Sequence, residues 1–184
     1  SSDLLWYKWV LEGDIKACFD KIGHQWLMEN ITVDKRMLEQ WLKSGFVDKG
    51  LFYDTDEGTP QGGIISPTLM LMTLAGLEQR VKSTALRKGA KANFIGYADD
   101  FVVTCSSKEV LVSDIKPLIA DFLAERGLTL SEEKTHITHI SRGFDFLAFN
   151  HRKYKGKLLI KPSKSNTLLF LSNLRELIKK HATI

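Results

Sequence analysis

Three acidic side chains in two settings are the candidates for chemistry. Asp14 closes the run Trp9-Val10-Leu11-Glu12-Gly13-Asp14-Ile15-Lys16, whose composition predicts a buried strand with Gly13 allowing close backbone packing. Asp99 and Asp100 stand in Phe94-Ile95-Gly96-Tyr97-Ala98-Asp99-Asp100-Phe101-Val102-Val103-Thr104-Cys105, two apolar strands joined by a tight acidic turn. Neighbouring carboxylates between buried strands repel unless a positive group sits beside them. A solvated Asp-Asp turn accounts for an isolated pair, but a third carboxylate at a strand end shifts the balance. Such a trio can hold two Mg²⁺ ions roughly 3.5–4 Å apart. Magnesium takes oxygen ligands and is commonly held by a few carboxylates plus substrate phosphates. The matching chemistry is in-line nucleotidyl transfer, with one ion acidifying a primer 3′-hydroxyl and the other holding a triphosphate.

The elements that must position these groups follow in order. After Asp14 the chain turns into a short helix around Trp26, Leu27 and Met28, with Asp20 as a cap or hydrogen-bonding orienter. Met37, Leu38, Trp41 and Leu42 recur at helical spacing, stopped by Gly45, and Leu51-Phe52-Tyr53 reads as a short strand. The loop Glu57 to Pro67, rich in glycine and proline, ends in Ser66-Pro67, which predicts a cap and a first helical residue. That helix is expected to run to about Lys88 with its apolar first half buried behind the sheet. Ser107 can cap a helical stretch to Arg126, kinked or divided at Pro117 and ended by Gly127. Strands are expected at Thr135 to Ile140, Phe144 to Asn150 and Leu158 to Lys161, with Arg152, Lys153, Lys155 and Lys157 in the last turn. From Ser163 an amphipathic helix carries Leu168, Leu171, Leu174 and Ile178, a stripe with no obvious partner in the chain.

At 184 residues with 43% hydrophobic and 26% charged residues, the composition is that of a globular domain with one good core. No apolar run is long enough to span a bilayer and no signal-peptide pattern opens the chain, so no membrane partner is expected. Cys18 and Cys105, both in apolar strand-like settings, are expected as buried free thiols. His136 and His139, three apart on a strand, face opposite sides and do not suggest zinc. The net charge of +4 hides an asymmetry: residues 134–184 hold 11 Lys/Arg against Asp145 and Glu176, whereas the preceding part is net acidic. A basic end beside an acidic body suggests a polyanion footprint, or else a solvated basic face.

Asp14-Ile15-Lys16-Ala17-Cys18-Phe19-Asp20, Thr59-Pro60-Gln61-Gly62-Gly63-Ile64-Ile65-Ser66-Pro67 and Tyr97-Ala98-Asp99-Asp100 resemble motifs A, B and C of reverse transcriptases. Gly127 to Thr135 resembles motif D, and Phe144-Asp145-Phe146-Leu147-Ala148-Phe149 the primer-grip hairpin. The wording is most similar to bacterial group II intron reverse transcriptases, the intron maturases, over about Trp9 to Lys164. The resemblance implies Asp14 and Asp99 as principal metal ligands, Asp100 as a supporting carboxylate, and the Ile15 carbonyl turned to the second metal. It implies Ala17 and Cys18 backbone N–H groups at the triphosphate, Phe19 as an aromatic gate against a ribose 2′-hydroxyl, and Gln61 against the incoming nucleotide. An ordinary core Phe19 and a plain surface Lys134 stay open as alternatives. Lys134 otherwise matches a general acid for pyrophosphate, work that requires its pKa to be lowered. Tyr97, Phe146, Leu147, Ala148, Arg152 and Lys155 would meet primer and template, with Ala148 crowding a position where the family commonly has Gly.

The implied fold is α+β: a polymerase palm over residues 1–162, an antiparallel sheet backed by helices with a terminal β-hairpin, then the start of a thumb from 163. The fingers would be missing, and the fragment feeble alone. The implied function is RNA-directed DNA synthesis with two Mg²⁺, Mn²⁺ able to substitute, on an RNA template, a DNA primer and deoxynucleoside triphosphates. Intron RNA would be a further partner, in a bacterial cytoplasmic setting or an organellar one. Alternatives are a CRISPR-associated, retron or diversity-generating reverse transcriptase, and a non-catalytic intron-RNA-binding splicing cofactor.

Overall fold

A strand apolar on both faces has to run through the middle of a structure. β1 (Trp9–Lys16) does so, in a computed structural model that describes residues 7–48, 51–53, 58–59 and 64–181. The chain continues through α1 (Cys18–Lys21), α2 (His24–Asn30), α3 (Lys35–Leu42), β2 (Phe46–Asp48) and β3 (Leu51–Tyr53). Next come α4 (Ser66–Leu74), α5 (Leu77–Arg87), β4 (Ala92–Tyr97) and β5 (Asp100–Cys105). A helical stretch follows in three parts, α6 (Lys108–Val110), a π-helical turn (Leu111–Ile115) and α7 (Lys116–Ala124). The remainder is β6 (Thr129–Leu130), β7 (His136–His139), β8 (Phe144–Phe146), β9 (Phe149–Tyr154), β10 (Lys157–Pro162) and α8 (Lys164–His181).

The main sheet is antiparallel in the order β4-β5-β1, and the far edge of β1 is shared by β7 along its first half and β6 along its last two residues. Alternation along β1 divides its side chains between two environments. Leu11 and Ile15 enter the main core with Leu38, Leu69, Val81, Ile119 and Phe122, where the helices pack. Val10 turns the other way and joins Val102 and Ile140 in a small cluster covered by Phe144 and Phe146. The helices therefore cover one face fully, and only the β8 end covers part of the other. β8, β9 and β10 form a separate antiparallel sheet, and β2 pairs with β3. Among the described residues no helix is long and apolar enough to cross a membrane.

Several sequence expectations change. Ser66 is the first residue of α4, not its cap, because the turn begins at Ile65 and Pro67 sits within the first turn. The expected single helix to Lys88 is broken at Ala75-Gly76, where Gly76 has φ 87° and starts α5 on a new axis. α4 is not apolar-buried all round, since Leu71 and Met72 are exposed while Leu69, Met70 and Thr73 are buried. Asp20 lies inside α1 rather than capping the next helix, whose N-cap is Gly23. Cys18 lies on α1, not on a strand, although it and Cys105 are buried free thiols as expected. Ser107 does accept the Val110 N–H, and the disturbance near Pro117 takes the form of a π-turn with Pro117 in the first turn of α7. Phe144 to Asn150 is two strands with a turn at Leu147-Ala148, and Arg152, Lys153 and Lys157 are strand residues around a Lys155-Gly156 turn. Ser163 caps α8 by accepting the Asn166 N–H, and every apolar residue of the α8 stripe is exposed.

Arg126 ties three of these elements together. Its guanidinium, buried over the Phe122 and Trp26 rings, donates to the carbonyls of Thr73 (2.8 Å) and Phe122 (2.7 Å). Its own carbonyl accepts the Gly23 N–H at 2.9 Å. Arg126→Met fills the space but leaves two buried carbonyls without their charged donor, which costs about 2–3 kcal/mol. Urea denaturation of the purified chain reads that loss.

Candidate active site

Register places the acidic groups before any contact is considered. Asp14 lies directly opposite Asp100 in the β1–β5 ladder, and Asp100 lies opposite Tyr97 in the β4–β5 ladder. Directly opposed residues share a face, so Tyr97, Asp100 and Asp14 form one row across three strands. Counting by twos from Val10 and Val102 puts that row on the face away from the helices. Asp99 occupies the turn itself, after Ala98 at φ 52°, and its carbonyl accepts the Ile15 N–H at 2.9 Å. The peptide edge of Ile15 is thereby turned toward the acidic bend, while the Asp14 carbonyl accepts from Ser131 on the opposite side at 2.8 Å.

This approach depends on a missing side chain. Gly13 faces Phe101, and a Cβ on Gly13 would fall 2.2 Å from the Phe101 ring. The ring crosses the glycine and stacks on Phe94 with centroids 5.5 Å apart, which seals the helix-facing side beneath the carboxylates.

The electrostatics follow from the crowding. Burial, then the charges of Asp99 and Asp14, push the Asp100 carboxyl above its ordinary pKa, with Lys134 opposing. Lys134, the residue after the Glu132-Glu133 pair, donates to Asp14 Oδ2 at 2.9 Å. That bond raises the lysine's pKa and so favours the ammonium form beside Asp14. The Cys18 thiol is pushed up to about 12 by burial and by Asp99, Asp14 and Asp20, so it stays protonated against the Met70 sulfur at 3.1 Å.

Asp14, Asp100 and Lys134 line a cleft of about 220 Å³ together with Phe146, Leu147 and Ala148. Both turn residues of the β8–β9 hairpin are left-handed, Leu147 at φ 49° and Ala148 at φ 67°. Ala148 therefore carries a conformation that glycine adopts more readily. Tyr97 stands at the open end of the carboxylate row and is 64% exposed. Arg152 and Lys155 lie apart from the cleft, Arg152 donating to the Ser141 carbonyl at 2.8 Å and both cations resting near the Tyr154 ring.

On the other flank Ala17 is exposed at φ 47°, and Phe19 is half-buried against the core. The Phe19 carbonyl accepts the Thr59 N–H, which docks the start of the second motif on α1. Gln61 lies outside the described residues.

Two acidic residues escaped the sequence reading. Glu12 and Asp145 also line the cleft, and burial pushes the Glu12 carboxyl up while the Asp145 N–H and His136 hold it down. Glu12 was within reach, because it sits two residues before Asp14 on the same strand and so shares its face. Asp145 had no such signal.

The donor set is chemically suited to magnesium: carboxylate oxygens crowded together, with like charges that need a cation. Among the described residues no three His, Cys, Asp and Glu side chains are already drawn into a metal-holding cluster. The carboxylates are instead gathered by the sheet with an ammonium on Asp14. Gly13→Ala tests how firmly the strand crossing is set. The added methyl overpacks against Phe101 at a cost of about 1–3 kcal/mol. Combining it with Phe101→Leu is expected to be sub-additive in denaturant titrations.

Residues 3–151 match the family described as "Reverse transcriptase (RNA-dependent DNA polymerase)". Protein YkfC of Escherichia coli K12 is 32% identical over 174 residues, a match covering 76% of this chain and 46% of that protein. The group II intron-encoded protein LtrA of Lactococcus lactis subsp. cremoris is 26% identical over 209 residues, covering 79% of this chain and 35% of LtrA. The chain thus spans less than half the length of these relatives. Among solved structures, telomerase from Candida tropicalis with a fragment of telomeric RNA superposes with a TM-score of 0.64 at 15% identity, covering 92% of this chain and 34% of the telomerase. That likeness concerns the fold, and it agrees with an α+β palm whose antiparallel sheet is backed by helices. The chain belongs to the reverse transcriptase family, with the group II intron-encoded proteins among its relatives.

Proposed function

We propose that this chain is the catalytic palm of an RNA-directed DNA polymerase that extends a primer 3′-hydroxyl on an RNA template, within a group II intron-encoded protein that also aids splicing and mobility. The observation that carries the proposal is the register pairing of Asp14 with Asp100, one residue from Asp99, at the cleft bordered by the Leu147-Ala148 turn.

In this mechanism Asp14 and Asp99, with Asp100 and the Ile15 carbonyl in support, would hold two Mg²⁺ ions. When bound, these supply Lewis acidity at the primer hydroxyl and charge neutralisation at the triphosphate. The chain's own residues position the reactants. The backbone N–H groups around Ala17 and Cys18 receive the triphosphate, and Gln61 meets the incoming nucleotide. Phe19, half-buried against the core, acts in this reading as the aromatic gate against a ribose 2′-hydroxyl. The Phe146-Leu147-Ala148 turn, buttressed by the packing of Phe146 on Val10 and Val102, supports the primer end. Tyr97 flanks the acidic row on the template–primer side, and Arg152 on the strand of Phe149 and Lys155 in the turn that follows it bring positive charge farther along. Lys134 stands beside Asp14, ready to meet the phosphates.

In the full-length protein, Asp99→Ala is expected to abolish Mg²⁺-dependent primer extension while sparing RNA affinity in filter binding. Extension that survives this change contradicts the metal assignment, and lost RNA binding favours a structural role for the turn. Phe19→Ala is expected to raise ribonucleotide incorporation at least tenfold relative to deoxynucleotides, a loss of about 1.4 kcal/mol of discrimination. Single-nucleotide incorporation kinetics with matched dNTP and NTP measure it. Unchanged discrimination returns Phe19 to the core.

A further inference from the structure

Asp14 is a deeply seated member of its ion pair, with 10% side-chain exposure, while its partner Lys134 is 66% exposed. In the pairs Lys43–Glu39, Lys82–Glu78, Lys88–Asp114 and Lys116–Glu132 the carboxylate is at least 22% exposed. A deeply seated carboxylate facing a second one is the place where a counter-charge matters most. The lysine that supplies it reaches in from solvent and can be rehydrated at small cost when it leaves.

We propose that Lys134 is a placeholder cation: its ammonium occupies Asp14 until a divalent ion loads, so lysine and metal compete for one carboxylate. The inference rests on the metal-holding role proposed above for Asp14.

The local backbone suits an exchange of side chain without loss of the loop. Ser131 N–H donates to the Asp14 carbonyl at 2.8 Å, and Thr135 Oγ donates to the Ser131 carbonyl at 2.6 Å. The segment carrying Lys134 is thus pinned at both ends to β1 and to itself, whether or not the ammonium touches Asp14. A divalent cation gains from Asp14, Asp99 and Asp100 together, whereas Lys134 bonds one carboxylate, so the metal wins when present. Until then the ammonium offsets the repulsion between Asp14 and Asp100. Displaced, it becomes an unpaired cation beside the phosphates the metal brings. Metal loading and the availability of Lys134 are therefore one event.

The test uses the full-length protein, with Mn²⁺ alone as probe and free Mn²⁺ measured by electron paramagnetic resonance at low salt. Lys134→Met removes the competitor and is expected to tighten Mn²⁺ binding about fivefold, whereas Lys134→Arg keeps the wild-type value. In EDTA, Lys134→Met is expected to melt below wild type, and the gap should close as Mn²⁺ is added. Lys134→Gln serves as a second neutral variant should the methionine protein fold poorly. Asp14→Asn separates the two levels of the argument. If it abolishes Mn²⁺ binding but neither neutral variant binds more tightly, the placeholder role is overturned and the metal site stands. If Asp14→Asn leaves binding intact, both fall.

Discussion

The structure is organised around a repulsion. Asp14 and Asp100 oppose each other on the uncovered face of an antiparallel sheet, with Asp99 one residue away in the turn. Strand pairing leaves them no freedom to separate, because moving either means slipping the register, which would also turn Leu11, Ile15, Phe101 and Val103 out of the core. The hydrophobic core is what holds the charges together. The raised pKa of Asp100 and the ammonium on Asp14 are two consequences of the same confinement.

The rest of the fold reads as support for that row. Below it, Gly13 yields its side-chain volume to Phe101, and Phe101 stacks on Phe94, so the helix-facing side is closed. Above it, the face stays open except where Phe144 and Phe146 cover Val10 and Val102, and this partial cover leaves the cleft. At the flank, Arg126 uses one guanidinium to join the C-terminal turn of α4 to α7, and its carbonyl reaches α2. The motifs lie far apart in sequence and meet through this apolar packing, with Arg126 adding buried polar ties at the flank.

Much of this was legible in the residues. β1, the acidic hairpin, the start of α8 after Ser163 and the burial of both cysteines follow from local pattern. The errors share a cause. Ala75-Gly76 divides a helix whose apolar periodicity runs straight through, because Gly76 takes a left-handed conformation that no pattern of hydrophobic residues reveals. Leu147 and Ala148 turn a hairpin although neither residue type favours positive φ, so the local pattern from Phe144 to Asn150 read as one strand and only the resemblance to the primer-grip hairpin announced two. Leu71 and Met72 are apolar yet exposed, since apolar content does not say which face meets the sheet. The cleft acids divide the same way: Glu12 follows from strand alternation, whereas Asp145 reaches the site only by the return of the β8 hairpin.

Sequence alone supplied the candidate carboxylates, one at a strand end and two at a hairpin tip, on which the proposed chemistry rests. It also determined the family, because five ordered motifs with their spacing seldom coincide by chance. Tertiary structure decided what the carboxylates face: which strand lies beside β1, in which register, and that Lys134 returns to Asp14 across 120 residues of chain. The physical reason is that local sequence sets the face a side chain takes within its own strand, whereas the neighbour across that strand depends on packing the whole core.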